Sequence, residues 1–288
     1  MSQRDLHILR VQAELKTAEK EMSNQSILQA KNIVKHFEHN GESMLALDGV
    51  NLNVQEGDFI CLLGPSGCGK STFLNIVAGL EKPDSGEILL SGKPVSGHDA
   101  KIIMVFQEGA LFPWLSVTDN VEFGLKMAGV PKNERSQISQ RYLEMMQLTK
   151  FANSYIHQLS TGMRQRVAIA RALAMDPDIL LMDEPFAALD SQTRDMLMVE
   201  LQLIWQRTKK TILFVTHNVS ESVILGDRVL IFKHRPSKIK KEIRIDLHRP
   251  RLAEDESLLH YTHEILGELK DEVKESIKEG YEDMELFN

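Results

Sequence analysis

The stretch GPSGCGKST, residues 64–72, combines the residue types that hold the phosphates of a nucleotide. Gly64 to Ser71 fit the pattern G-x-x-x-x-G-K-[ST], between the apolar strand FICLLG and the helical stretch KSTFLNIVAGL. In such a loop the backbone N–H groups close around phosphate oxygens, the lysine reaches the β- and γ-phosphates, and the serine hydroxyl is a ligand for Mg²⁺. The stretch predicts an ATP or GTP site with Lys70 in catalysis and Ser71 on Mg²⁺, formed by Gly64, Pro65, Ser66, Gly67, Cys68, Gly69, Lys70, Ser71 and Thr72.

Two adjacent carboxylates follow a second apolar run, in the stretch ILLMDEP. The run predicts a buried parallel strand, and Asp183 ends it at the edge where such sheets bind their ligands. We expect Asp183 to hold Mg²⁺ through its coordination shell. Glu184 is the natural general base for a water that attacks the γ-phosphate. A solvated acidic strand end is the alternative for this pair.

The stretch QLSTGMRQR, residues 158–166, precedes the helical run VAIARALAMD. Ser160 is a good helix N-cap, so the residues allow a capped helix start and nothing more. The free N–H groups and positive dipole end of a helix also suit an anion, with Gly162 beside them. The question is whether a phosphate binds here, and from which molecule it comes.

Composition limits the class of protein. The 288 residues are 42% hydrophobic and carry a formal net charge of −7, which argues against a general nucleic-acid binder. Residues 252–288 hold twelve acids and three lysines, so the acidity belongs to this tail. No apolar run approaches a membrane span, residues 1–10 lack the apolar core of a signal peptide, and two cysteines make no disulfide framework. We expect a soluble, cytoplasmic protein.

Strand and helix patterns alternate after residue 55 and predict a parallel α/β core. Short alternating stretches over residues 27–55 predict antiparallel strands and hairpins. Residues 117–160 are mostly helical in pattern, and the tail has apolar residues along one helical face. The predicted division is an N-terminal extension (1–26), an ATPase domain (27–251) with a helical subdomain near 117–175, and an acidic helical tail (252–288).

These motifs, in this order, resemble those of the ATP-binding subunits of ABC transporters. The resemblance covers about residues 27–251 and rests on the loop at 64–72, VFQEG, LSTGMRQR, LLMDEPFAALD and FVTHN. It implies a P-loop NTPase of ABC type, with a parallel-sheet core, an antiparallel β subdomain and a helical subdomain. The stretches FQEGALFPWLSVTDNV and HRPSKIKKEIRIDLHRPR are most similar to importer ATPases for nitrate, sulfonate, taurine and bicarbonate.

The resemblance implies a head-to-tail dimer, in which a phosphate of the partner's ATP binds at residues 158–166. Each ATP lies between the phosphate loop of one subunit and the 158–166 stretch of the other, where Ser160 and Gly162 donate to its γ-phosphate. Thr161 departs from the usual pattern, in which glycine is common. A threonine is tolerable if this position belongs to the first helical turn and strained if φ is positive.

Four further residues receive roles from the resemblance. Gln107 contacts Mg²⁺ and the attacking water, His217 contacts the γ-phosphate, and Asp190 couples the two sites across the dimer. Phe37 stacks on adenine, although a core phenylalanine fits the sequence nearly as well.

The implied partners are a second copy or a homologous subunit, transmembrane permease subunits and, indirectly, a solute-binding protein, at the cytoplasmic face of the membrane. Phe112 and Trp114 either pack locally or form a groove for a helix of the membrane subunit. The basic stretch KHRPSKIKK is either a solvated strand edge or a membrane-surface contact. An ABC ATPase outside transport, an ABC exporter ATPase and a P-loop kinase remain alternatives, and the solute stays open.

Overall fold

Two sheets with a helix between them surround the predicted phosphate loop in the computed structural model. The structure describes residues 26–39, 42–95, 97–107 and 110–278, so the predicted extension 1–26 and the end of the tail lie almost wholly outside it. The first sheet is antiparallel, in the order β2-β1-β4-β5. Its strands are β1 (Leu28–His39), β2 (Glu42–Val54), β4 (Ser85–Leu90) and β5 (Lys93–Pro94).

The second sheet has the order β10-β9-β3-β8-β7-β6, in which the antiparallel strand β10 joins five parallel strands. Its central strands are continuous apolar runs because helices or the other sheet cover both faces. The strands are β3 (Phe59–Leu63), β6 (Ile102–Val105), β7 (Ile179–Asp183), β8 (Thr211–Thr216), β9 (Arg228–Phe232) and β10 (Ile239–Arg244).

The described helices pack on both sides of this sheet. Alternate residues of β3 point to opposite faces, so Ile60 and Leu62 join the core with helix α1, while Phe59, Cys61 and Leu63 join the core with the other helices. The helices are α1 (Lys70–Val77), α2 (Val117–Met127), α3 (Lys132–Met145), α4 (Thr161–Ala174), α5 (Ser191–Thr208), α6 (Val219–Leu225) and α7 (Leu259–Lys278).

The acidic tail folds back as α7. Ile265, Leu269 and Val273 are buried in the larger core, whereas Leu259 and Ile277 of the predicted apolar face are exposed. No helix among the described residues is long and apolar enough to cross a membrane. The α/β core with its separate antiparallel sheet and helices confirms the predicted fold class, while the division into domains stays a prediction.

Candidate functional site

The phosphate loop connects the end of β3 to the start of α1. Gly67 and Gly69 have φ values of 73° and 102°, which side-chain-bearing residues rarely adopt. A Cβ on Gly69 would also lie 3.0 Å from Leu47 Cδ2 and 3.3 Å from the Ala46 carbonyl oxygen. Glycine is therefore required where the loop turns into the helix.

Lys70 is buried and lies against its own loop. Its Nζ donates to the carbonyl oxygens of Gly64 at 2.7 Å and Pro65 at 2.9 Å. The Nζ also lies 3.6 Å from Cys68 Sγ, and that cysteine is completely buried. The charge is thus held at the centre of the loop, where a bound polyphosphate would compete with the carbonyls for it.

Ser71 and Asp183 meet at the mouth of the sheet, although 112 positions separate them in the chain. The Ser71 hydroxyl donates to Asp183 Oδ1 at 2.9 Å. Burial raises the pKa of Asp183, the Ser71 hydrogen bond partly opposes this, and the charge of Glu184 adds to the increase. A hydroxyl and a carboxylate at this separation are the hard oxygen ligands that Mg²⁺ prefers, so the residues fit the predicted metal.

Glu184 has a backbone conformation that is unusual for a residue with a side chain, with φ of 44°. Its N–H donates to the Val215 carbonyl oxygen at 3.0 Å, which joins the turn after β7 to the neighbouring strand β8. Such a conformation costs about 1–3 kcal/mol and persists where surrounding contacts impose it, commonly at functional sites. This backbone conformation fixes the position of the Glu184 carboxylate relative to the end of β7.

The Glu184 side chain pairs with the predicted histidine. His217 Nδ1 lies 3.1 Å from Glu184 Oε2. Burial by itself would raise the pKa of Glu184, but the hydrogen bond and charge of His217, together with Lys70, lower it. The carboxylate is therefore held ionised, as a general base needs to be.

A cavity of about 160 Å³ adjoins Glu184 and His217. Two of its lining residues, Arg194 and Glu221, are charged groups that the sequence motifs did not point to. Arg194 Nε lies 3.5 Å from Glu221 Oε1, and the Thr216 hydroxyl donates to Glu221 Oε2 at 2.6 Å. Burial raises the pKa of Glu221. Only the closeness of α5 and α6 in space reveals this pair.

A second cavity, also of about 160 Å³, connects the phosphate loop to the antiparallel sheet. Phe37 of β1 lines it, as a residue that stacks on adenine should, with Lys35 Nζ 5.4 Å from the ring centroid. Glu184 lines this cavity too. Arg235, which belongs to the basic stretch KHRPSKIKK, also lines this cavity.

Ser160 caps α4 within its own chain. Its hydroxyl accepts from the Met163 N–H at 3.3 Å, so within one chain Ser160 acts as a helix N-cap. Thr161 is the first residue of α4 and its hydroxyl accepts from Arg164 Nη2 at 2.9 Å. The departure from glycine at this position therefore causes no left-handed backbone.

Gly162 allows α4 and α5 to approach each other closely. A Cβ on Gly162 would lie 2.6 Å from Thr193 Cγ2. Thr193 in turn donates its N–H and its hydroxyl to the Asp190 carboxylate, at 3.0 and 2.8 Å. The backbone hydrogen bond from Thr193 is the main cause that lowers the pKa of Asp190.

Not all predicted site residues meet in one chain. Among the described residues, neither cavity is lined by Gln107, Ser160, Gly162 or Asp190. Gln107 is exposed just after β6, and residues 108–109 lie outside the described ranges. Three of these positions, Ser160, Gly162 and Asp190, are the ones whose predicted roles involve a partner subunit.

The loop after Gln107 has a packed and an open side. The Phe112 ring lies 4.3 Å from the Phe123 ring, centroid to centroid, and Asn120 donates to the Phe112 carbonyl oxygen. Trp114 is 70% exposed beside it. Phe112 thus fits the first alternative, local packing, whereas Trp114 has the exposed surface that the second alternative requires.

This chain is similar to ATP-binding proteins of ABC transporters. A profile described as ABC transporter matches residues 47–187. An uncharacterized ABC transporter ATP-binding protein of Methanocaldococcus jannaschii is 52% identical over 87% of this chain and 94% of its own. A taurine import ATP-binding protein of Roseobacter denitrificans is 46% identical over 76% and 82%. A nitrate import ATP-binding protein of Synechocystis is 47% identical over 71% and 77%.

One solved structure extends the comparison to the fold. It is the dimeric, post-hydrolysis state of an ATP-binding cassette bound to ADP and phosphate. It matches with a TM-score of 0.67 and 36% identity, over 77% of this chain and 100% of the other. That relative is therefore dimeric with ADP and phosphate bound.

Proposed function

Because this chain belongs to the ATP-binding proteins of ABC transporters, we propose that it drives the uptake of a small anion by hydrolysing ATP on a membrane permease. ATP binding and hydrolysis are the general activity of the family. The observation that supports the proposal most is the pairing of Glu184 with His217 beside Lys70 and the Ser71–Asp183 pair. A base, a cationic group and a set of oxygen ligands around one phosphate loop are what the hydrolysis of ATP requires.

The catalytic roles follow from what each side chain offers. The loop N–H groups and Lys70 bind the β- and γ-phosphates and stabilise the charge that develops there. Glu184 accepts a proton from the attacking water, and His217 orients that carboxylate and donates to the γ-phosphate. Ser71, Asp183 and Gln107 would hold Mg²⁺, which would supply positive charge beside the phosphate oxygens.

We propose that two copies, or this chain and a homologous subunit, complete each site head to tail. The dimeric relative with ADP and phosphate supports this assembly. Ser160 caps the positive N-terminal end of α4 and is exposed, so this end of the helix is available to a phosphate from outside the chain, with Gly162 in its first turn. Asp190, at the start of α5 and in contact with Thr193 beside Gly162, links this helix to the turn after Glu184.

Permease subunits are the proposed membrane partners, at the cytoplasmic face. The exposed Trp114 belongs to the proposed contact surface for them. The import proteins for taurine and nitrate support a small anion as the solute, delivered by a solute-binding protein. No nucleic acid is among the proposed partners, since the net charge is negative.

Uptake in the source organism tests this function. A strain that lacks the gene receives the wild-type chain or Glu184→Gln, and uptake of labelled nitrate, taurine, alkanesulfonate and bicarbonate is measured. The proposal expects wild type to restore uptake of one of these anions and Glu184→Gln to restore none. Equal uptake of all four in the deletion and wild-type strains would reject the proposal for these solutes.

A further inference from the structure

The turn between β9 and β10, residues 233–237, is fixed against the nucleotide site. Ser237 is buried, its N–H donates to the Ala46 carbonyl oxygen at 3.0 Å, and its carbonyl oxygen accepts from the Asp48 N–H at 3.0 Å. Lys233 and Lys238 close the turn with a backbone hydrogen bond of 2.8 Å. The turn is thereby bound to β2 along the wall of the second cavity.

The tail helix holds the same turn from the other side. Glu272 of α7 is 6% exposed, and its Oε2 accepts from the His234 N–H at 2.9 Å. Lys240 Nζ, on β10, lies 3.1 Å from Glu272 Oε1. Because a buried carboxylate that loses a hydrogen-bond or ionic partner is strongly destabilised, these two contacts hold Glu272 and the turn in position.

Arg235 extends from this fixed turn into the cavity wall. Its Nε donates to the Gly67 carbonyl oxygen of the phosphate loop at 2.6 Å, and its Nη1 lies 3.0 Å from Met44 Sδ. The cavity that it lines runs from Phe37 to Lys70 and Ser71. A planar, permanently charged donor group therefore stands between the base end and the phosphate end of the proposed nucleotide.

We propose that Arg235 is a nucleotide-binding residue that contacts the nucleoside diphosphate part shared by ATP and ADP. This inference rests on the proposed function. The Arg235 guanidinium hydrogen-bonds Gly67 and Met44, and neither residue has a proposed part in the chemical step, so Arg235 acts on binding. Since Gly67 and the turn already fix the guanidinium, little side-chain entropy is lost when a nucleotide arrives.

The test compares binding with turnover in the full-length chain. Dissociation constants for Mg-ATP and Mg-ADP are measured by isothermal titration, and kcat is measured at saturating ATP. Arg235→Met keeps an unbranched stem beside Met44 but removes the charge, and we expect it to weaken both nucleotides about tenfold, as for loss of one charge-assisted hydrogen bond, with kcat within about twofold. Arg235→Lys should recover part of the affinity because it restores the charge.

Arg244→Ala is the matched control, since this arginine is 80% exposed on β10 and lies outside the cavity. It should bind both nucleotides like wild type. Unchanged dissociation constants in Arg235→Met, or a reduced kcat with unchanged binding, would overturn the assignment of Arg235 alone. A wild-type chain that bound no nucleotide would instead overturn the proposed function.

Discussion

At the scale of single residues, Glu184 shows how backbone and side chain serve one role. Its left-handed φ turns the chain sharply after Asp183, so that the two neighbouring carboxylates have different surroundings. Asp183 contacts Ser71, and Glu184 contacts His217. Their pKa values consequently shift in opposite directions, upward for Asp183 and downward for Glu184. Opposed shifts in adjacent acids are typical of sites that give the two groups separate tasks.

Lys70→Ala should lower the rate of ATP hydrolysis on the order of 100-fold or more. The buried ammonium group donates to the loop carbonyls of Gly64 and Pro65, and in the proposed mechanism it stabilises the charge that develops on the phosphate. Phosphate release at saturating Mg-ATP measures the effect, and circular dichroism checks that the variant is folded. A folded variant with half the wild-type rate would remove Lys70 from the mechanism.

At the scale of elements, the close approach of α4 and α5 depends on Gly162. Gly162→Ala places a Cβ against Thr193 Cγ2, and Thr193 cannot rotate away without losing its hydroxyl bond to Asp190. We expect the substitution to destabilise the chain by about 1–3 kcal/mol, as overpacking does. Urea unfolding measures the loss.

A second substitution separates this clash from other effects. Gly162→Ala combined with Thr193→Ser removes the clashing methyl group but keeps the hydroxyl for Asp190. Gly162→Ala should therefore lower the stability much less in the Thr193→Ser background than in the wild-type background. If Gly162→Ala lowers the stability equally in both backgrounds, the close contact with Thr193 is not the reason why glycine is needed at this position.

The tail helix is a second element whose packing can be tested. Leu269→Ala removes a fully buried side chain of α7 and should cost about 2–5 kcal/mol of stability. Ile277→Ala, on the same helix but 54% exposed, should change stability by less than about 0.5 kcal/mol. Basal ATP hydrolysis by folded Leu269→Ala should remain measurable. Loss of ATP binding in the folded variant would give the tail a direct role at the site.

The elements themselves were predictable because each is marked by local sequence. Continuous apolar runs mark the buried strands β3, β7 and β8, and polar caps such as Ser160 and Asp190 mark helix starts. The resemblance to ABC transporter ATPases, drawn from motif order, is confirmed by the comparisons. The individual roles of the site residues stay predictions.

Contacts between distant parts of the chain were predictable only where both residues belong to recognisable motifs, as Ser71 and Asp183 do. Arg235 meets Gly67 across 168 positions, and no local pattern records that closeness. The basic stretch was expected to be a solvated edge or a membrane contact, yet Lys240 and Lys241 form ion pairs with Glu264, Glu268 and Glu272 of the tail helix. The pairing depends on how α7 docks, which an apolar face alone does not specify.

At the scale of the whole molecule, the sharpest prediction concerns assembly. Glu184→Gln keeps the shape of the side chain but removes the base, so ATP should bind and remain intact. Size-exclusion chromatography with ATP should then show a dimer, which ADP does not support because it lacks the γ-phosphate. ATP hydrolysis should fall about 10²–10⁴-fold in the same variant, as measured by phosphate release.

Ser160→Arg added to Glu184→Gln tests the interface directly. The larger side chain blocks the N-terminal end of α4 and should abolish the ATP-dependent dimer, while each chain still binds ATP. If the double variant dimerises with ATP as before, Ser160 is a helix cap only, and the N-terminal end of α4 is not part of the dimer interface.

The docked tail also affects how the chain behaves before it meets any partner. Strand β10 forms one border of the parallel sheet, and an uncovered border exposes N–H and C=O groups that can recruit strands from other molecules. Its lysines are charged and tied to α7, and at the opposite border β6 is only four residues long. Short or charged borders disfavour strand-to-strand aggregation. Both borders of the six-stranded sheet are therefore poor templates for a strand from another molecule.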